Sequence, residues 1–210
     1  MLYRQIVCSF LVVVFSSSVS HAMLVLDQEN DFVSAVGSTA STTSRIGQTF
    51  TVGLAGSLDR IDLRMTRVNI FGDPGPAILT LHTTAAGLPS GELGSVQIPA
   101  SMIATTGQAF VTFDVSSLGI TAVPGQVLAF DLSTNSGTGV YAVPNSINVD
   151  NYANGTAVSK DFADPWQAQI YDHSFRTFVS VPEPNAFVCL GVIGLVIVGA
   201  KKLKKRRHSC

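Results

Sequence analysis

Cysteine is missing from the middle of this 210-residue chain: the three present are Cys8, Cys189 and Cys210. A domain lying between them can form no disulfide of its own and must hold by burial alone, even in an oxidising compartment. Lysine is nearly absent there as well. Between Met23 and Ser180 it occurs once, at Lys160, and 13 Asp and Glu face 6 Lys and Arg, a balance of −7. Nucleic-acid binding needs a basic face to neutralise phosphates, so this acidic stretch excludes that class of partner. The same stretch has two glutamates, Glu29 and Glu92, and two histidines, His82 and His173. It contains no Gly-x-Ser-x-Gly, no His-Glu-x-x-His and no glycine-rich phosphate loop. With no thiol nucleophile and no marked carboxylate pair of the kind glycoside hydrolysis uses, a catalytic role finds no support. A long 3.6-residue apolar period is also missing, which excludes a helical domain.

What is present begins with two unusual ends. Met1–Ala22 has the three parts of a secretory leader: Arg4, the apolar run Ile6–Phe15 and the small-x-small site Ser20-His21-Ala22. Ten apolar residues make a helix of roughly 15 Å, too short for ~30 Å of hydrocarbon, so cleavage between Ala22 and Met23 is expected rather than a retained anchor. At the other end, Val181-Pro182-Glu183-Pro184 precedes the apolar run Ala186–Ala200 and the basic tail Lys201–Cys210. The run reaches roughly 22 Å as a helix, and roughly 27 Å if extended to Leu203 with snorkelling lysines. Six basic residues after it hold the C-terminus in the cytoplasm, by the positive-inside rule. The formal charge of −1 for the whole chain hides this asymmetry.

Between the ends, short stretches alternate with the period of half-buried strands, bounded by Gly, Pro, Asn or Ser. They are Leu24–Leu26, Gln48–Val52, Leu58–Met65, Ala77–His82, Ser95–Ile98, Ala109–Val115, Gln126–Leu132, Gly139–Val143, Gln167–Ile170 and Phe175–Val179. Ile61, Leu63 and Met65 share one face, with Arg60, Asp62 and Arg64 on the other. Both faces of Ala109–Val115 carry an aromatic, which predicts a central strand. Gly72–Pro76, Gly87–Gly91 and Pro124-Gly125 read as turns, and the Ser/Thr-rich Ser34–Ser44 as an exposed loop. About ten such strands predict an all-β domain over Met23–Ser180: an antiparallel two-sheet sandwich of jelly-roll type, flanked by the leader and a C-terminal transmembrane helix.

Candidate chemistry in this domain is sparse. Asp27, Glu29 and Asp31 stand at i, i+2 and i+4, a spacing that in a loop can wrap Ca²⁺, though no glycine turn or twelfth-position Glu follows. A solvated acidic edge is the simpler expectation, and no cofactor is otherwise implied. Trp166, the only tryptophan, has Tyr171 nearby, and exposed aromatics of this kind stack on sugars. The competing reading is that Trp166 plugs the core. His82 and His173 are expected in structural or surface roles. Asp114, Asp131 and Asp172 are expected at strand ends or on solvent faces.

Two resemblances follow from particular residues. Gln48–Val52, Leu58–Leu63, Leu79–Thr84 with Gly87-Leu88-Pro89, Phe113–Ser116, Gly125-Gln126, Tyr152–Gly155, Trp166 and Asp172–Thr177 together resemble the bacterial surface modules called choice-of-anchor domains. That resemblance implies a galactose-binding-like sandwich with no catalytic role. The order leader, Pro-Glu-Pro, short span and terminal basic cluster resembles the PEP-CTERM sorting signal, with Pro182, Glu183 and Pro184 matching its motif. It implies recognition by an exosortase, a membrane-embedded cysteine protease-transpeptidase. The membrane would hold Ala186–Ala200 until processing, and the product would be released or linked into the cell surface or exopolysaccharide matrix. The expected role is structural or adhesive. The alternatives are a glycan-binding module with a site near Trp166, a polysaccharide hydrolase, or a simple single-pass anchor.

Overall fold

Among the described residues thirteen strands form two antiparallel sheets that face each other across one apolar core. The structure, a computed structural model, describes residues 22–34, 37–146 and 149–182. In chain order the strands are β1 (Ala22–Asn30), β2 (Gly37–Ala40), β3 (Ser44–Thr51), β4 (Gly56–Val68), β5 (Ala77–Ala85), β6 (Leu88–Ile98), β7 (Ala109–Asp114), β8 (Thr121–Ala122), β9 (Val127–Ser133), β10 (Val140–Pro144), β11 (Ala157–Asp161), β12 (Gln167–Ala168) and β13 (Phe175–Pro182). One sheet has the order β1-β13-β4-β10-β2, with β7 and β8 also paired to β4. The other runs β12-β11-β3-β9-β5-β6. The all-β, two-sheet expectation therefore holds.

The 13-residue strand β4 organises the first sheet because its sequence alternates as the period-2 reading requires. Ile61, Leu63 and Met65 are buried in the core, while Arg60, Asp62 and Arg64 face outward. Leu58 would fall on the outer face by strict alternation, yet it is fully buried. The register against β13 slips between Phe178 and Val179, so that Asp59 is an extra residue in β4 and Leu58 is returned to the core side. Where the sheets meet, Phe50 of β3, Phe130 of β9 and Phe175 of β13 form a triangle of rings with centroids 5.6–6.3 Å apart. Tyr152 meets Phe175 edge-on at 5.1 Å. Interleaved aromatics from opposed sheets bury large apolar area with favourable ring geometry, and this domain has no disulfide to supplement them.

Several sequence expectations are corrected. Strand β7 is not central: β4 is its sole strand partner among the described residues. Its outward aromatic, Phe110, is explained by the guanidinium groups of Arg64 and Arg176, which lie 4.4 and 4.0 Å from its ring centre. Within Ser34–Ser44, expected as a loop, Gly37–Ala40 form β2 and Ala40 is fully buried. Small residues there read as flexible, but a Cβ at Gly37 would lie 2.6 Å from the Val143 carbonyl oxygen, so the close pairing with β10 depends on glycine. In Gly87–Gly91 only Gly87 lies in the turn, together with Ala86, both at positive φ. Leu88 onward belongs to β6, an edge strand, where Pro89 is tolerated. Strand β13 continues through Val181 to Pro182, two residues beyond the expected domain end, with Ala22 opposite Pro182 and Met23 opposite Val181.

Among the described residues no helix is long and apolar enough to cross a membrane. The leader Met1–His21, Glu183, Pro184, the apolar run Ala186–Ala200 and the basic tail lie outside the described residues.

Candidate functional site

The outer face of the six-stranded sheet carries a polar constellation that alternation in its strands assembles. In β9 the even-numbered Leu128, Phe130 and Leu132 enter the core, which turns Ala129, Asp131 and Ser133 outward. Gly47 on β3 and Thr80 on β5 stand directly opposite Asp131 on its two sides. One step along, His82 faces Ala129 on one side and Glu92 of β6 on the other. Arg45 and Lys160 pair across β3 and β11 on the same face.

At the centre Asp131 is fully buried, with Oδ2 2.6 Å from His82 Nε2 and 3.5 Å from Arg45 Nη1. His82 is 6% exposed, and its Nδ1, like Asp131 Oδ1, is buried without a hydrogen-bond partner. A buried carboxylate costs several kcal/mol unless charge and hydrogen bonds compensate it, and here one His and one Arg supply that compensation. The arrangement requires glycine at position 47, because a Cβ there would lie 2.1 Å from the Phe130 carbonyl oxygen.

Trp166 belongs to this face, not to the core. Its ring meets His82 at 6.1 Å, inclined by 67°, and Lys160 Nζ lies 5.1 Å from its centre. The indole thus lies between the side chains of Lys160 on β11 and His82 on β5, and the strands between these carry Gly47, Thr49 and Ala129. These residues and Val158 are buried although they point away from the core. The segment bearing Trp166 is thus a cover over the middle of the sheet.

Beside this cover lies an open cleft of about 320 Å³, lined among others by Arg45, Thr80, Glu92, Ser95, Ser133 and Asn135. Its floor is the buried pair Thr80 and Ser133, and Arg45 and Glu92 stand on strands at opposite sides of it. The Arg45 side chain is 40% exposed with one long ion pair, and Glu92 has no ion pair or hydrogen-bond partner among the described residues. A larger hollow of about 500 Å³, lined by Pro74, Gly75, Pro76, Gln97, Pro99 and Ala100, has one polar side chain and little with which to orient a ligand.

Other sequence candidates lie elsewhere. Tyr171 is half-buried, its hydroxyl accepting a hydrogen bond from Ser38 at 3.0 Å and its ring set edge-on to His173. Its ring and hydroxyl are engaged with His173 and Ser38, while the Trp166 ring meets His82 and Lys160. Asp27, Glu29 and Asp31 do not form a cation loop. Asp27 and Glu29 lie on β1, where Asp27 Oδ1 accepts from the Gly53 and Leu54 amides at 2.9 and 2.6 Å. Arg176 holds Glu29 at 2.6 Å and Asp31 at 2.8 Å, and Arg64 holds Asp31 at 2.6 Å. Among the described residues no group of three His, Cys, Asp or Glu is placed to hold a metal ion.

Asp114 ends β7 and caps the Ser116 backbone amide and hydroxyl, which lowers its pKa. Asp131 and Asp172, expected at strand ends or on solvent faces, are both fully buried. Asp172 accepts from Gln48 Nε2 at 2.8 Å and from the Asn151 and Tyr152 amides at 2.8 and 2.9 Å. It locks the approach to β13 onto β3 and the loop before β11. Burial raises its pKa, against the pull of these donors. Next to it, burial lowers the pKa of His173 to about 4, so the imidazole is neutral, with Nδ1 3.4 Å from the Pro144 carbonyl. These are structural groups, and the Asp131–His82 pair is closed in the same way. Among the described residues no hydroxyl or thiol bonds to His82, and Asp131 is fully shielded from solvent.

The sequence does not single out Arg45, Thr80 and Ser133, and it marks Glu92 and Asp131 but not as members of one site; only the pairing of β3, β9, β5 and β6 brings the five together. No protein-family model matches the chain, and no curated protein matches it significantly in sequence. The resemblances drawn above rest on the residues quoted for them.

Proposed function

We propose that this is an exported, exosortase-sorted protein of the cell surface or exopolysaccharide matrix, with a structural or adhesive role. The observation that carries the reading is the extent of the folded body. Its compact unit is Ala22–Pro182, which fills the interval between the expected leader cleavage site and the Pro182-Glu183-Pro184 motif. The first proline of the motif is the last residue of β13. A cargo that ends where its sorting motif begins needs no linker. The two-sheet architecture agrees with a jelly-roll, galactose-binding-like module of the kind the choice-of-anchor resemblance implies. In this reading Ala186–Ala200 crosses the cytoplasmic membrane before processing, with the C-terminus in the cytoplasm.

The motif is tested by replacing Pro182, Glu183 and Pro184 together with alanine in the producing cells. The cargo should then accumulate at the inner membrane. Unchanged delivery to the surface or medium would leave the motif as a linker and favour a simple anchor.

A further inference from the structure

We infer that the cleft beside Trp166 is a binding site for the hydroxyl groups of a neutral hexose polysaccharide. This rests on the surface-matrix reading for where such a polymer would be met, but the chemistry comes from the site itself.

Saccharide hydroxyls both donate and accept, so a site for them needs donors and acceptors a few ångströms apart on a concave surface. The cleft supplies donors from the half-exposed Arg45 guanidinium, an acceptor from the unpaired Glu92 carboxylate, and groups of both kinds from Ser95, Ser133, Thr80 and Asn135. Three strand spacings separate β3 from β6, a width of roughly 14 Å, which suits two to three sugar rings. The floor is rigid, since Thr80 and Ser133 lie in central strands anchored by the buried Asp131. Asp131 also orients Arg45, whose single 3.5 Å contact leaves its remaining N–H groups for a ligand.

Charge decides between neutral and acidic polymers. Arg45 and Glu92 balance within the cleft, while the surrounding domain carries −7, so a polyuronate would be repelled on approach. A neutral polymer meets no such barrier. Trp166 does not line the cleft, and Lys160 and His82 already occupy positions around its ring, so it is not the stacking surface.

The test is affinity electrophoresis of the protein recovered from its producing cells, through gels containing galactomannan, dextran or alginate. Galactomannan or dextran should retard it, and alginate should not. Glu92→Ala and Arg45→Gln should each weaken retardation at least tenfold while the protein still unfolds cooperatively from a folded state, and a control substitution far from the cleft, Thr105→Ala, should not. Absence of retardation in both neutral gels, retardation that survives both cleft substitutions, or retardation by alginate alone would each overturn the proposal. The mass of the same sample reports processing separately. A processed protein that binds no neutral polymer sinks the cleft and leaves the sorting reading intact. An unprocessed one that binds does the reverse.

Discussion

Ala22 stands opposite Pro182 in the antiparallel ladder of β1 and β13, so the first and last strands of the folded body close against each other. Among the described residues β1 pairs with no other strand. If the chain is exported N-terminus first, as proposed above, β1 can dock only after β13 has emerged, and the Ala22–Met23 bond stays in unpaired chain until then, open to the expected leader cleavage.

The register itself can be tested by a cysteine pair. Leu24 faces Ser180 in this ladder, and directly opposed residues lie about 4.5–5.5 Å apart at Cα, within disulfide reach. Leu24→Cys with Ser180→Cys should oxidise without added catalyst in the exported protein, giving a faster band on non-reducing gels. Two thiols that remain free to alkylation would mean that β1 is paired in another register.

Stability should rise with pH through the range in which free histidine loses its proton. His173 is held neutral with a pKa of about 4, whereas the unfolded chain titrates it near 6.5. Between those values the unfolded state binds the extra proton, so stability falls as pH falls, by up to about 1.4 kcal/mol per unit. Asp172 works in the opposite direction. Its raised pKa makes the folded state hold a proton longer, a contribution present in acid and lost as pH rises through the folded value. The His173 slope should appear between about pH 4 and 6.5 in urea titrations, reduced wherever Asp172 titrates in the folded state. His173→Gln should flatten it, and a wild-type profile without slope would show that the imidazole is hydrated.

Asp131 should be the most costly single polar residue on the outer sheet face. Asp131→Ala leaves buried His82 and half-buried Arg45 without their shared partner, a loss of about 3 kcal/mol in unfolding free energy. His82→Phe combined with Asp131→Ala should recover part of this, since removing both members eliminates the orphaned group. A double variant whose loss equals the sum of the His82→Phe and Asp131→Ala losses in denaturant unfolding would show that His82 and Asp131 are not coupled.

Much of the fold was legible because half-buried strands write their period into the sequence. Ile61, Leu63 and Met65 were assigned to the core side correctly, and the stretches around Phe50, Phe130 and Phe175 supply its aromatic triangle. What failed was information held by the partner strand. Gly37–Ala40 look flexible until β10 approaches them, and Phe110 looks like a core residue until two arginines are seen to cover it. The candidate site was less legible still. Trp166 could be named because it is unique, but its half of the face could not. Asp131, Thr80 and Glu92 are distant in sequence and meet through strand pairing alone. An isolated aspartate in an apolar run, such as Asp131 between Phe130 and Leu132, was the one available signal. Such a carboxylate must be turned out of the core or compensated, and here it is both.

In the proposed reading, a cargo running from Met23 to the Pro182-Glu183-Pro184 motif is delivered by its two ends and then freed of them. Intact mass of the protein recovered from cells with an active exosortase tests this most directly. The expected species begins at Met23 and lacks the apolar run Ala186–Ala200 and the basic tail. A mass equal to Met23–Cys210, with both still attached, would contradict it.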